Sequence, residues 1–287
     1  MNIQWFPGHM KKTERQIEED VRLVDIVYEL LDARIPYSSK NPDVDRLTGG
    51  KPKIVLLNKS DLADASATEK WVEYYKKKSV AVIPVCAQTG AGLKQLKQKT
   101  NEILAETIKR QKEKGMVGRG VKALIVGVPN VGKSSFINKI SGKGSTKTGD
   151  RPGVTKGKQW ITVDKSLQLL DTPGILWPKF EDETIAFHLA FTGAVKDEIL
   201  DVEELGASLC TLLAKHYGEA LKVRYKLDEI SENGYDLLTA IGKKRGCVIS
   251  GGEIDLHKAA SLVLDEFRAA KLGKITLELP EDMKEQG

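Results

Sequence analysis

Continuous apolar runs alternate with segments of helical period through residue 180 or so, and only the helical period persists beyond about residue 181. Lys53-Ile54-Val55-Leu56-Leu57 and Lys122-Ala123-Leu124-Ile125-Val126 are unbroken rather than alternating, the pattern of strands buried on both faces of a parallel sheet. The spacing predicts strands near 25–31, 53–57, 81–85, 122–126, 159–163 and 167–170, with helices near 66–78, 92–114 and 133–141. That alternation predicts an α/β fold, a largely parallel sheet flanked by helices. Thr13-Glu14-Arg15-Gln16 fits a capping box and Ile17, Val21 and Val24 follow at helical spacing, so a short helix is expected before the first strand. Asp32-Ala33-Arg34-Ile35-Pro36 ends that strand, and the sheet is expected to finish near Trp177-Pro178. Further on, Leu256, Ala260, Val263 and Phe267 mark one helix face, with Gly273 as its stop and a short extended tail beyond Thr276. The expected division is an α/β domain over 1–180 and a small α-helical C-terminal domain over 181–287.

Two of the predicted strands lead into short polar motifs. Gly127-Val128-Pro129-Asn130-Val131-Gly132-Lys133-Ser134 fits G-x-x-x-x-G-K-S, follows an apolar run and opens a helical stretch, which is the context a phosphate-binding loop requires. Glycines let backbone N–H groups converge on phosphate oxygens, and the helix N-terminus favours negative charge. Lys133 can reach the β- and γ-phosphates, the Ser134 hydroxyl can hold Mg²⁺, and Val131, Gly132 and Ser135 complete the cradle. Upstream, Asn58-Lys59-Ser60-Asp61 follows its own strand. A carboxylate at Asp61 can accept from guanine N1–H and the exocyclic N2 amino group; adenine offers neither, and sites built on such pairing discriminate by factors on the order of 10⁴ or more.

Two further pieces fall where a GTP site needs them. Asp171-Thr172-Pro173-Gly174 follows the strand Leu167-Gln168-Leu169-Leu170; Asp171 is expected to bind Mg²⁺ through water, and the Gly174 N–H to meet the γ-phosphate. Cys86-Ala87-Gln88 follows the run ending at Val85, with the Ala87 N–H expected to face guanine O6. Between phosphate loop and Asp171, Arg151-Pro152-Gly153-Val154-Thr155 carries Thr155, either the switch threonine on Mg²⁺ or a plain loop threonine. The expected ligands are GTP and GDP with Mg²⁺. The guanine-reading motif precedes the phosphate loop, the reverse of the usual order. Chain order matters little at such a site, because ligands bind where the carboxyl ends of parallel strands converge.

Together these pieces resemble the circularly permuted phosphate-loop GTPases of the translation-factor-related class. The opening Trp5-Phe6-Pro7-Gly8-His9-Met10 and the ending resemble the bacterial ribosome biogenesis GTPase A family over nearly the whole chain. The resemblance implies a GTP-hydrolysing assembly factor that binds the maturing large ribosomal subunit and its rRNA in the GTP form and leaves after hydrolysis. It implies His9 as the residue that positions the attacking water, the alternative being an ordinary surface histidine. Asn130 resembles the asparagine with which some GTPases hold a potassium ion against the phosphates, the alternative being a turn-forming asparagine. The turn Gly251-Gly252-Glu253-Ile254-Asp255 and the helix after it resemble the family's C-terminal module, implied to contact ribosomal RNA. Ile175 stands where many GTPases place the water-orienting glutamine, so hydrolysis is expected to be slow alone and stimulated by the ribosomal subunit. Since the γ-phosphate sensor runs directly into the C-terminal part, the GTP state is expected to reposition that part.

Two other readings remain. One is an RNA- or ribosome-binding placeholder with incidental turnover; the other is a GTPase of the small subunit. Against the latter, fewer than 30 residues precede the first predicted strand, too few for an added OB barrel, and no zinc-ligand cluster is evident.

Charge supports a phosphate-rich partner. Residues 1–180 hold 32 Lys/Arg against 19 Asp/Glu and residues 181–287 hold 13 against 21, which together give the chain's +5. Basic residues gather at 109–122, at 139–158 and at Lys243-Lys244-Arg245, patches that suit an RNA backbone or a solvated face. The acidic balance of the C-terminal part leaves room only for a local RNA contact around 243–245. At 287 residues, 30% charged and 40% hydrophobic, the composition is that of a two-domain globular protein. Cys86, Cys210 and Cys247 lie far apart without C-x-x-C, so reduced thiols and no zinc are expected. No apolar run approaches the roughly 18 to 20 residues of a membrane span, and residues 1–10 lack signal-peptide character. The expectation is a cytoplasmic protein, monomeric when free, with neither DNA nor membrane as partner.

Overall fold

In the computed structural model the described residues are 7–115, 119–142, 159–174, 176, 182–195 and 200–283, with the side chains of 7–12 and 159 outside the description. Six strands form the sheet: β1 (Ile26–Asp32), β2 (Lys53–Asn58), β3 (Ala81–Pro84), β4 (Val121–Val126), β5 (Gln159–Asp164) and β6 (Leu167–Asp171). Their spatial order is β3-β2-β1-β4-β6-β5. Every neighbouring pair is parallel except β5 and β6, which form an antiparallel edge. A chain that began at the phosphate-loop strand β4 would visit β4-β5-β6 and then β1-β2-β3; here the second trio comes first. The permutation leaves the strand neighbours intact, so the loops after β2 and β4 still open on the same sheet end.

The unbroken apolar runs do what their pattern predicts. Every residue of β1 is buried, because helices cover both faces of the sheet. On one face lies α1 (Pro7–Val21), whose Ile17 and Val21 pack with Val27, Leu124, Val126 and Leu170. On the other lie α4 (Leu93–Ile103), α5 (Ala105–Glu113) and α6 (Lys133–Ser141); Leu96, Phe136 and Ile137 meet Tyr28, Ala123 and Ile125 there. Tyr28 reaches Thr100 of α4 through a 2.8 Å hydroxyl hydrogen bond, which satisfies a buried phenol. The short α2 (Asp43–Leu47) and the longer α3 (Ala65–Lys77) also flank the sheet, the latter capped by Asp64, which accepts from the Ala67 N–H.

After the sheet come α7 (Glu183–Phe191), α8 (Val202–Tyr225), α9 (Gly234–Arg245) and α10 (Leu256–Arg268). Asp182, Asp201, Asn233 and Asp255 each cap one of these helices, which satisfies backbone donors that a helix start leaves unpaired. α8 bends at Tyr217, where φ −136° departs from helix. The buried cluster of the α4–α6 face runs on without interruption through Leu189, Leu213, Leu238 and Phe267 of these helices.

Several boundaries differ from the sequence expectation. The first helix begins at Pro7, so Thr13 lies inside it rather than at its cap. The helix expected over 92–114 is two, parted at Leu104 (φ −96°, ψ 9°). α10 ends at Arg268, five residues before Gly273, because Ala270 already takes φ +53°. Among the described residues β6 is the last strand, and it ends at Asp171; Trp177 and Pro178 lie outside the described residues.

The tail is extended and docked over residues 275–279 and then closes into a 3₁₀ turn at Pro280–Asp282, where the sequence predicts an extended tail throughout. Ile275 N–H donates to Leu62 O at 3.2 Å and Leu277 N–H to Arg34 O at 2.8 Å. The Trp71 indole N–H donates to Glu278 O at 2.9 Å.

Candidate functional site

Asn58 ends β2, and the parallel register puts it opposite Asp32 at the end of β1. Its amide joins two loops: Nδ2 donates to Val131 O at 2.8 Å, and Oδ1 accepts from the Ala87 N–H at 3.2 Å. The Ala87 N–H, expected to face the base, is thus turned toward Asn58 here. Lys59 turns with φ +60° and donates to Asn130 O at 2.7 Å. Ser60 binds Val85 O through both its N–H (3.3 Å) and its hydroxyl (3.0 Å), tying the loop to the Cys86-Ala87-Gln88 segment. Cys86 is buried and accepts from Thr89 N–H through Sγ at 3.4 Å, whereas Gln88 is exposed. Asp61 follows in the turn, half-buried.

The phosphate loop closes on the same place. Gly132 takes φ +98°, and a Cβ there would overlap the Asn58 amide nitrogen, so only glycine lets these loops touch. Lys133 heads α6, is buried, and donates to Gly127 O (3.0 Å) and Val128 O (3.1 Å). Burial draws its pKa down to about 8 against the opposing pull of Asp171. An ammonium folded onto its own loop carbonyls, with Asp171 as the one anion acting on it among the described residues, is a group suited to a polyphosphate. Ser134 is half-buried and Ser135 exposed beside it. Asn130 takes φ +56° and donates from Nδ2 to Gly193 O, 2.6 Å away, just beyond α7.

Asp171 closes β6 beside Ile125 of β4 and is buried. Thr172 is pinned by its hydroxyl to Ile125 O at 2.6 Å. A Cβ on Gly174 would stand 2.8 Å from the Pro129 backbone and 3.1 Å from Lys133 Nζ, so this backbone passes directly over the phosphate loop. The oxygen donors Ser134 and Asp171, next to the lysine, fit a hard divalent cation such as Mg²⁺. Thr155 and Ile175 lie outside the described residues, and His9 falls within the backbone of α1.

Four features carried no motif. Asp32 accepts from Arg34 and Lys59 at once; burial by itself would raise its carboxyl, but the two cations hold it well below the ordinary range. Burial lowers the Lys59 pKa, with Asp32 acting against it. Arg34 continues to α10, donating to Arg268 O at 3.4 Å with its guanidinium 5.4 Å from the Phe267 ring centre. Arg268 in turn caps the end of α7 through Phe191 O (3.0 Å) and Ala190 O (2.9 Å). Glu278 accepts from the Tyr37 N–H (2.7 Å), both the N–H and hydroxyl of Ser38, and pairs with His188 Nδ1 at 2.7 Å. The one available signal was an acid ending an apolar run beside the Asn58 strand, which is Asp32.

The basic patches are divided in use. Arg245 is exposed but folded along its own module, donating to Arg224 O at 3.2 Å with its guanidinium 5.2 Å from the Tyr225 ring centre, and Lys244 pairs with Asp228 at 3.3 Å. Lys109, Arg110, Lys112 and Lys114 are exposed on and just after α5. Among the described residues no helix is long and apolar enough to cross a membrane, and no group of three metal-ligating side chains occurs.

Residues 122–238 match the model of a family described as 50S ribosome-binding GTPase. The chain is 50% identical to a protein named ribosome biogenesis GTPase A from Priestia megaterium, covering 99% of both chains. It is 50% identical to the protein of that name from Bacillus cereus, covering 100% of this chain and 97% of the other. Among solved structures it is similar to GDP-bound TM YlqF, at 32% identity and TM-score 0.70 over 93% of this chain and all (100%) of the other. GNP-bound YlqF from T. maritima gives 31% identity and TM-score 0.65, over 95% of this chain and 100% of that one.

Proposed function

The chain belongs to the ribosome biogenesis GTPase A family, and from that premise we propose that it binds the maturing large ribosomal subunit in its GTP form, hydrolyses GTP there and is released. The observation that carries the nucleotide part is the meeting of Asn58 and Lys59 with Val131 and Asn130, across loops some seventy residues apart in sequence. That meeting joins a base-reading loop to a phosphate cradle at one sheet end, the place where open parallel sheets hold ligands.

In this reading Asp61 accepts from guanine, with Ser60, Cys86, Ala87 and Gln88 around the base. Residues Asn130 to Ser135 cradle the phosphates. Lys133 leaves its own loop carbonyls for the β- and γ-phosphates, and the Gly174 N–H senses the γ-phosphate. Ser134, Thr155 and, through water, Asp171 would hold Mg²⁺, which supplies charge neutralisation on the phosphates. A potassium ion near Asn130 would take the side-chain oxygen, the amide nitrogen being directed at Gly193 O. His9 would orient the attacking water, and Ile175, which can neither donate nor accept, accounts for slow turnover until the subunit binds.

The G part, 1–180, carries the positive balance that suits rRNA, and 181–287 forms a helical module with a local RNA contact. One contact between this module and the phosphate loop runs from Asn130 to Gly193, and through it the GTP state would reposition the C-terminal part. The free protein is a cytoplasmic monomer.

A variant that binds GTP without hydrolysing it tests the cycle. In a sedimentation assay such a variant should stay on large subunits, whereas free cycling on and off the particle would favour a placeholder with incidental turnover.

A further inference from the structure

Asp32 is 2% exposed, and a carboxylate so deeply buried must be fully paired to be tolerated. Arg34 alone would do this. Its fork donates Nε to Oδ1 at 2.9 Å and Nη2 to Oδ2 at 2.7 Å, and its backbone N–H adds a bond to Oδ1 at 3.1 Å. Yet Oδ2 takes a second cation, Lys59 Nζ, at 3.0 Å. Charge balance does not require that second partner, since one guanidinium already neutralises one carboxylate.

The surplus lies on the lysine side. Lys59 occupies a left-handed backbone conformation, φ +60°, which is unfavourable for any residue that carries a Cβ. Its ammonium is stretched between Asp32 on β1 and Asn130 O on the phosphate loop, at 3.0 and 2.7 Å. The register that sets Asp32 against Asn58 leaves the carboxylate one residue from Lys59 whatever the turn does. Asp32 itself is fixed from outside the nucleotide motifs, by Ser39 Oγ on its N–H at 3.0 Å and by Arg34 braced on α10.

We infer that Asp32 is a positioning residue for guanine-nucleotide binding: its carboxylate holds Lys59 in place against the phosphate loop before any nucleotide arrives. The inference rests on the reading that residues 58–61 recognise guanine. Neither nucleotide motif contains Asp32, and it acts through Lys59. Without it, Lys59 would keep the Asn130 carbonyl as its hydrogen-bond partner among the described residues, with only the more distant pull of Asp61 beside it, and would have to be ordered at the moment of binding, a cost that falls on affinity.

The test is a double-mutant cycle on affinity for GDP and for a non-hydrolysable GTP analogue, using the full chain. Asp32→Asn should weaken both by about 10- to 100-fold, the range of a lost charge-assisted bond. It should raise KM for GTP and leave kcat unchanged. In the Lys59→Ala background the same substitution should cost almost nothing more. Arg34→Gln, which keeps the Asp32–Lys59 pair, should lower thermal stability with little loss of affinity. Unchanged affinity in Asp32→Asn, or losses that simply add in the double variant, would overturn the inference. Should Asp32→Asn not fold, Asp32→Asn/Arg34→Gln read against Arg34→Gln makes the same comparison. A wild-type protein that does not prefer GDP to ADP would instead refute the guanine reading on which all this depends.

Discussion

Asn130 of the phosphate loop donates its side-chain amide to the carbonyl of Gly193, 2.6 Å away at the turn beyond α7. One residue therefore meets the Asn58–Asp61 loop through its backbone carbonyl, which accepts from Lys59, and the C-terminal helices through its side-chain amide. Its oxygen is the atom a monovalent cation would use. Turnover should be faster in potassium than in sodium, and Asn130→Ala should abolish the difference while also slowing the potassium rate. Equal wild-type turnover in both salts would remove the cation from the account.

Asp61 is expected to read guanine by accepting two hydrogen bonds. Asp61→Asn replaces one acceptor by a donor, so GTP affinity should fall by about 100-fold or more. Xanthine carries a carbonyl where guanine has its amino group, and xanthosine diphosphate should bind the variant better than the wild type. Competition binding with the two diphosphates reads both effects; no change in preference would show that Asp61 does not face the base.

Glu278 gathers Tyr37, Ser38 and His188 around one buried carboxylate. Glu278→Ala would leave the buried Ser38 N–H and the part-buried Tyr37 N–H without their acceptor. The expected cost is about 3 kcal/mol or more, read as a fall in the denaturant midpoint. A loss below about 1 kcal/mol would mean that the tail's anchorage lies elsewhere, in Ile275 and Leu277.

His9 sits on the helix that covers the sheet from the side opposite α6. His9→Ala should slow subunit-stimulated hydrolysis by about 10²- to 10⁴-fold, the usual contribution of a proton-handling side chain, and leave GDP affinity unchanged. Equal loss of binding and turnover would give His9 a structural role.

The sheet and the nucleotide motifs were legible because each is local. A run such as Lys53 to Leu57 and the polar residues after it lie within one short window, and burial on both faces leaves no alternation to confuse the pattern. The first helix was misplaced by the same local reasoning. Thr13 and Gln16 satisfy a capping pattern, yet the helix reaches back to Pro7, so the pattern lies inside it. The break at Leu104 has no glycine or proline to announce it. Least legible were contacts between distant segments. Arg34 with Arg268 and Ser38 with Glu278 join positions more than 230 residues apart, and a lone glutamate in a short tail gives no periodic signal. Asp32 belongs to the same class: in the sequence it merely ends a strand, and only the register beside β2 brings it to Lys59.

The central claim is that this GTPase answers to the large ribosomal subunit. GTP turnover in potassium buffer, measured alone and with purified large or small subunits at equal concentration, tests it most directly. The expected result is slow turnover alone and selective stimulation by large subunits. Stimulation by small subunits, or by neither, would contradict it.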